Sequence, residues 1–154
     1  MRETNCGFNS SDGINGADLL ATWGPTLQVN IGFDKEWNAE NTSSAPHAGI
    51  NFVDALVDTG AGESCIDDLL ASQLNLPIID KRFIAGSAGQ HEAKIYLAQI
   101  HVHSLSYTIY GAFAGVHLAD GGQLHKALIG RTFLKNFTML YEGHTGRVVL
   151  KFAL

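Results

Sequence analysis

The sequence predicts a mainly-β domain with one good helix. Three observations carry that expectation: a strictly alternating run at 27–33, a short apolar run rich in β-formers at 50–57, and a terminal pair of runs at 138–142 and 147–152. Gly143-His144-Thr145-Gly146 separates the last two as a turn. Seventeen glycines against three prolines fit many tight turns, and 154 residues that are 45% apolar suffice for a single core.

Residues 1–22 are polar, Gly- and Asn-rich and weakly periodic, so they read as an irregular lead-in. The organisation expected is an N-terminal arm or extension over 1–24 and one domain over 25–154. In Leu27-Gln28-Val29-Asn30-Ile31-Gly32-Phe33 every second residue points to one face, the pattern of a half-buried strand. Residues 34–46 are polar and loop-like, with Asn41-Thr42-Ser43-Ser44 at their centre. The run at 50–57 is a strand that leads straight into Asp58-Thr59-Gly60.

The helix is expected next. Ser64 is its predicted N-cap and Asp67, three residues on, a capping-box-like partner. Ile66, Leu69, Leu70 and Leu74 repeat at helical spacing, and Pro77 ends the segment. Phe83-Ile84, the Gly-rich turn Ala85-Gly86-Ser87-Ala88-Gly89 and residues 94–102 read as a hairpin. A strand at 107–116, a loop containing Asp120-Gly121-Gly122, the short apolar run Ala127-Leu128-Ile129-Gly130 and one or two helical turns at 132–137 complete the chain.

Bulk properties remove several functions. A net charge of −5 with no basic run argues against a nucleic-acid partner. Cys6 and Cys65 are too few for a disulfide framework; free thiols are expected, a pair between them being the alternative. No stretch approaches the roughly 18 apolar residues of a membrane span, and no signal-peptide core opens the chain. A soluble, cytoplasmic protein without membrane contact is expected, or a domain of a longer, membrane-anchored parent.

The sharpest chemical feature is Ala55-Leu56-Val57-Asp58-Thr59-Gly60-Ala61. A carboxylate stands at the end of an apolar strand, before a small and flexible turn. Taken alone, Asp-Thr-Gly is as readily a turn cap as a reactive group. Its surroundings resemble the catalytic turn of aspartic proteases of the single-lobe, retropepsin-like (retroviral-type) family. Three further segments stand in that family's order. The run at 27–33 resembles the strand before the catalytic one, and Ile84-Ala85-Gly86-Ser87-Ala88-Gly89 the flap hairpin. Ala127-Leu128-Ile129-Gly130-Arg131-Thr132-Phe133-Leu134 resembles the apolar-apolar-Gly-Arg segment and its short helix.

The resemblance covers residues 25–154. It implies a closed, barrel-like acid-protease fold with one or two short helices and a flap hairpin. It also implies an aspartic endopeptidase that cleaves peptides or proteins without metal or cofactor. Such chemistry needs two carboxylates sharing one proton around a water. The chain holds one Asp-Thr-Gly and no Asp-Ser-Gly, so a homodimer with one Asp58 from each copy is implied. Thr59, Gly60 and Gly130 would support the turn. Gly60, Ala61, Gly62, Ala85, Gly86 and Ser87 would face substrate.

One position departs from the family. An acidic residue usually follows Asp-Thr-Gly-Ala; here Gly62 stands there, with Glu63 next. The ion pair expected for Arg131 is therefore with Glu63, ahead of Asp67 or Asp68. The rival function is a dimerisation or binding module of the same fold with little or no proteolysis. A metal-dependent hydrolase ranks third: His101 and His103 share a strand face beside Gln99, but zinc needs three or four ligands and none stands at suitable spacing. A solvated strand is the expected reading of the two histidines. Gly86-Ser87-Ala88-Gly89 lacks the Lys of a phosphate loop and the frame of a hydrolase elbow.

Overall fold

The computed structural model describes residues 2–40, 44–86 and 89–153. Residues 41–43 at the centre of the expected loop, and Ser87 and Ala88 in the Gly-rich turn, lie outside the described residues. In chain order the elements are β1 (Glu3–Asn5), α1 (Gly16–Trp23), β2 (Thr26–Gly32), β3 (Ile50–Val57), β4 (Cys65–Asp67), α2 (Asp68–Gln73), β5 (Ile78–Gly86) and β6 (Gly89–Val102). A 3-10 turn at His103–Leu105 follows, then β7 (Tyr107–Val116), β8 (Ala127–Ile129), α3 (Arg131–Leu134), β9 (Phe137–Glu142) and β10 (Arg147–Phe152).

Six strands pair in the order β2-β3-β8-β4-β7-β6, and β6 returns to β2 with Val29 opposite Val102 and Gly32 opposite Gln99. The ring is closed: a mainly-β barrel, as expected. Closure uses the alternation of each strand, so Val29, Ile31, Ala55, Val57, Ile100 and Ile129 all turn inward and are at most 3% exposed. The fourteen-residue β6 also carries β5, which pairs with nothing else among the described residues.

The N-terminal lead-in is not irregular. β1 lies antiparallel on β10, Thr4 opposite Leu150, in a second sheet of order β1-β10-β9. Backbone bonds continue from Cys6 N to Val148 O and from Phe8 N to Gly146 O. Asn15 caps α1 by accepting from Asp18 N, and Leu20 buries the helix's inner face. At Gly146 (φ +86°) a Cβ would stand 2.4 Å from Gly16 backbone atoms, so this close approach needs glycine. The short strand and helix carry too few apolar residues to announce themselves; the C-terminal hairpin supplies their partner.

The helix start also differs from expectation. Residues 65–67 are strand β4, pairing with β7 and β8, because Ile66 is drawn wholly into the barrel. The N-cap is Asp67, not Ser64. Its buried carboxylate accepts from Leu70 N at 3.2 Å and from Leu118 N and Ala119 N at 3.1 Å each, tying α2 to the segment after β7. Asp68 accepts from the Tyr96 hydroxyl at 2.7 Å. His101 and His103 are half-buried rather than solvated: Thr108 Oγ1 lies 2.9 Å from one ring, Asn30 Oδ1 2.6 Å from the other, and Phe52 stacks on His103.

Both cysteines are free. Cys6 is packed in the core, where burial pushes its thiol up to about 12. Among the described residues no helix is long and apolar enough to cross a membrane.

Candidate functional site

Asp58 stands where β3 leaves the barrel, between β2 and β8. Val57 N donates to Pro25 O at 2.8 Å and Asp58 N to Ile129 O at 2.9 Å, so the residue is anchored from both neighbouring strands. The chain then reverses. Asp58 Oδ1 accepts from Gly60 N at 2.8 Å, and Ala61 N returns to Asp58 O at 3.2 Å. This side chain–backbone turn orients one carboxylate oxygen and leaves the half-buried group open on its other side.

The turn is clamped from below by α3. A helix leaves its first N–H groups without internal partners. Here Arg131 N donates to Ala61 O at 2.9 Å and Thr132 N to Gly62 O at 3.0 Å. Gly130 N donates to the buried Ser64 Oγ at 3.0 Å, the role this serine has in place of capping α2. A Cβ on Gly130 would lie 2.7 Å from Glu63 C and O and 2.9 Å from Gly62 O. Backbone thus packs on backbone at this point, and only glycine fits.

Arg131 does not pair with Glu63. Its Nη1 donates to Thr59 O at 2.7 Å, and its Nη2 stands 3.7 Å from the place a Gly62 Cβ would occupy. The guanidinium spreads over the turn backbone in the space Gly62 leaves, while Glu63 turns its own backbone to Gly130. No carboxylate lies within 4.0 Å of Arg131 among the described residues. Asp67 and Asp68 are occupied by the contacts described above.

Asp58 opens on a cleft of about 910 Å³. One wall is the turn itself: Gly60, Ala61, Gly62, Glu63 and Ser64. The other comes from the β5–β6 hairpin and β7, including Ile84, Ala85, Ile95 and Val116. Thr59 is exposed and does not line it. Gly86 ends β5 opposite Gly89, and Ser87 lies outside the described residues.

Three polar side chains of the cleft, Arg82, His91 and His117, were not singled out from the sequence. The alternation of β5 puts Arg82 on the face of Ile84, which was a usable signal; the position of His117 was not. Cys65 also lines the cleft, with its thiol pushed up to about 11 by burial and then by Glu63 and Asp58, so it remains a neutral thiol. No group of three or more His, Cys, Asp or Glu side chains is placed to hold a metal among the described residues.

No family model matches the chain, and no curated protein matches it. Among solved structures it is similar to EIAV protease complexed with the inhibitor HBY-793, at 18% identity and TM-score 0.46, over 72% of this chain and 85% of that one. It is also similar to a retropepsin-like aspartic protease from Rickettsia conorii, at 12% identity and TM-score 0.47, over 97% of this chain and 91% of that one.

Proposed function

We propose that the protein is an aspartic endopeptidase whose active site forms between two copies, each supplying Asp58. The observation that carries the reading is the placement of Asp58: a backbone-anchored carboxylate at the mouth of a large cleft with the β5–β6 hairpin in its opposite wall. The cleft's own carboxylates are Asp58 and Glu63, and Glu63 sits on the exposed rim of the turn. A second carboxylate in equivalent surroundings is obtained by a two-fold axis beside the exposed Thr59-Gly60 edge.

Two such groups close together cannot both ionise readily, so the pair holds one proton jointly. The ionised member takes a proton from a bound water, and the water oxygen attacks the scissile carbonyl carbon. The protonated member delivers its proton to the carbonyl oxygen. Collapse of the tetrahedral species breaks the C–N bond, with a proton passing to the leaving nitrogen. The Gly60 N–H bond to Asp58 Oδ1 fixes the carboxylate throughout. Substrate would lie extended between turn and hairpin, pairing with exposed backbone as an added strand.

Digestion of a peptide library with wild type and Asp58→Asn tests this. The variant should lose activity by on the order of 10³-fold or more, since an amide can neither take nor share the proton. Added in excess, it should also suppress wild-type cleavage by forming mixed pairs. Undiminished cleavage by the pure variant, or wild-type activity indifferent to the excess, contradicts the reading.

A further inference from the structure

The hairpin and β7 side of the cleft is mostly apolar, at Ile84, Ile95, Ala112, Ala114, Val116 and Leu118. Three side chains that can donate to an anion interrupt it: Arg82, His91 and His117. Register explains why two of them meet. Arg82 stands opposite Ala93 and Ile84 opposite His91, so alternation puts Arg82 and His91 on one face of the hairpin. Phe83 and Glu92 take the other face, where Phe83 is 70% exposed. His117 arrives from beyond the end of β7, and its ring centroid lies 6.3 Å from that of His91.

Their remaining donors are uncommitted. Arg82 Nε donates to Asp80 Oδ2 at 3.0 Å, but neither Nη group meets a protein acceptor among the described residues. His117 Nδ1 lies 3.4 Å from Asp120 Oδ2, which leaves Nε2. No hydrogen bond engages the His91 ring among the described residues. The cleft's carboxylates, Asp58 and Glu63, both belong to the turn wall. Among the lining residues the carboxylates belong to the turn and the uncommitted donors to the hairpin side, where Asp80 and Asp120 stand against Arg82 and His117 without lining the cleft.

We infer that the cleft selects peptides bearing an acidic side chain, seated against Arg82, His91 and His117, with apolar neighbours on either side. This rests on the peptidase reading above. A carboxylate placed there gains charge-assisted hydrogen bonds, whereas the same group turned toward Asp58 and Glu63 meets like charge. A lysine in that position would find its ammonium beside the Arg82 guanidinium.

The test compares peptides cleaved by the wild-type protein, each made with Glu, Gln or Lys at every position around the scissile bond. At one position the Glu peptide should exceed its Gln isostere by about tenfold or more in kcat/KM, with Lys lowest. In Arg82→Gln and in His91→Gln that Glu-to-Gln ratio should fall toward one; His117→Gln supplies a third variant should either lose its fold. Equal rates for Glu and Gln peptides at every position, or a ratio unchanged in all folded variants, overturns the inference and leaves the peptidase reading intact. Cleavage of no peptide at all overturns both.

Discussion

The two walls of the cleft are built in opposite ways. The turn at 58–64 is held by bonds from three directions: Ile129 O above, the first N–H groups of α3 below, and the Arg131 side chain across Thr59. The far end of the β5–β6 hairpin is held by its own ladder alone, with β5 unpaired on its outer edge among the described residues. Regions with few buried apolar contacts and exposed backbone bonds open at low free-energy cost. The contrast assigns precision to the carboxylate side and compliance to the hairpin side, which on the proposed function is the side that admits a substrate chain.

Gly130→Ala should break the comparison most severely. The new methyl meets Glu63 and Gly62 backbone, which cannot rotate away. A cost of about 1–3 kcal/mol follows, or about 2–4 °C in Tm for each kcal/mol in a chain of this size. Displacement of the turn should lower kcat as well. A Tm and kcat equal to wild type would show that the turn is not clamped there.

Acid should act next, and on the body of the barrel. Burial, then the neighbouring His103, holds His101 below the ordinary histidine value of 6.5. Burial does the same for His125, against an opposing pull from Asp54. Both favour the neutral ring in the folded state, so their contribution is complete above about 6.5 and is lost as the pH falls below it. Asp34, lowered chiefly by the His47 N–H bond, and Asp80, lowered chiefly by Arg82, lose their contributions only below 3.8. Thermal melts should therefore show a lower Tm at pH 5 than at pH 7. His125 lies 3.0 Å from Thr26 Oγ1, and Thr26 stands opposite Leu56 near the end of β3 that leads into Asp58, so part of the loss falls beside the turn. An equal Tm at both values contradicts this.

The smallest effect is expected on the hairpin's outer face. Phe83→Ser removes a side chain that is 70% exposed and turned away from the cleft. Stability should change by no more than about 0.5 kcal/mol, or about 1–2 °C in Tm. A loss comparable with that of Gly130→Ala would mean that the hairpin is as firmly held as the turn.

Much of this architecture follows from local pattern. Period-two alternation places β2 within one residue of the expected run, and the apolar run at 50–57 is β3 itself. The terminal hairpin and the Asp58 turn are likewise set by nearby residues. β1 and α1 escaped this reading, since three residues and one deeply buried leucine carry little periodicity.

The sequence by itself determined the mainly-β class, most of the strands along the chain and the Asp58-Thr59-Gly60 turn at the end of β3, because alternation and turn chemistry act between residues close in the chain. Only the tertiary structure decided the partners. Ring closure from β6 to β2 joins residues about seventy apart, and Ser64 serves Gly130 across a sequence separation of 66. Arg131 likewise takes Thr59 O, 72 residues away, instead of Glu63. Such choices depend on which donors and acceptors burial brings together and leaves unpaired, and a buried polar group settles on whatever partner the packed barrel supplies.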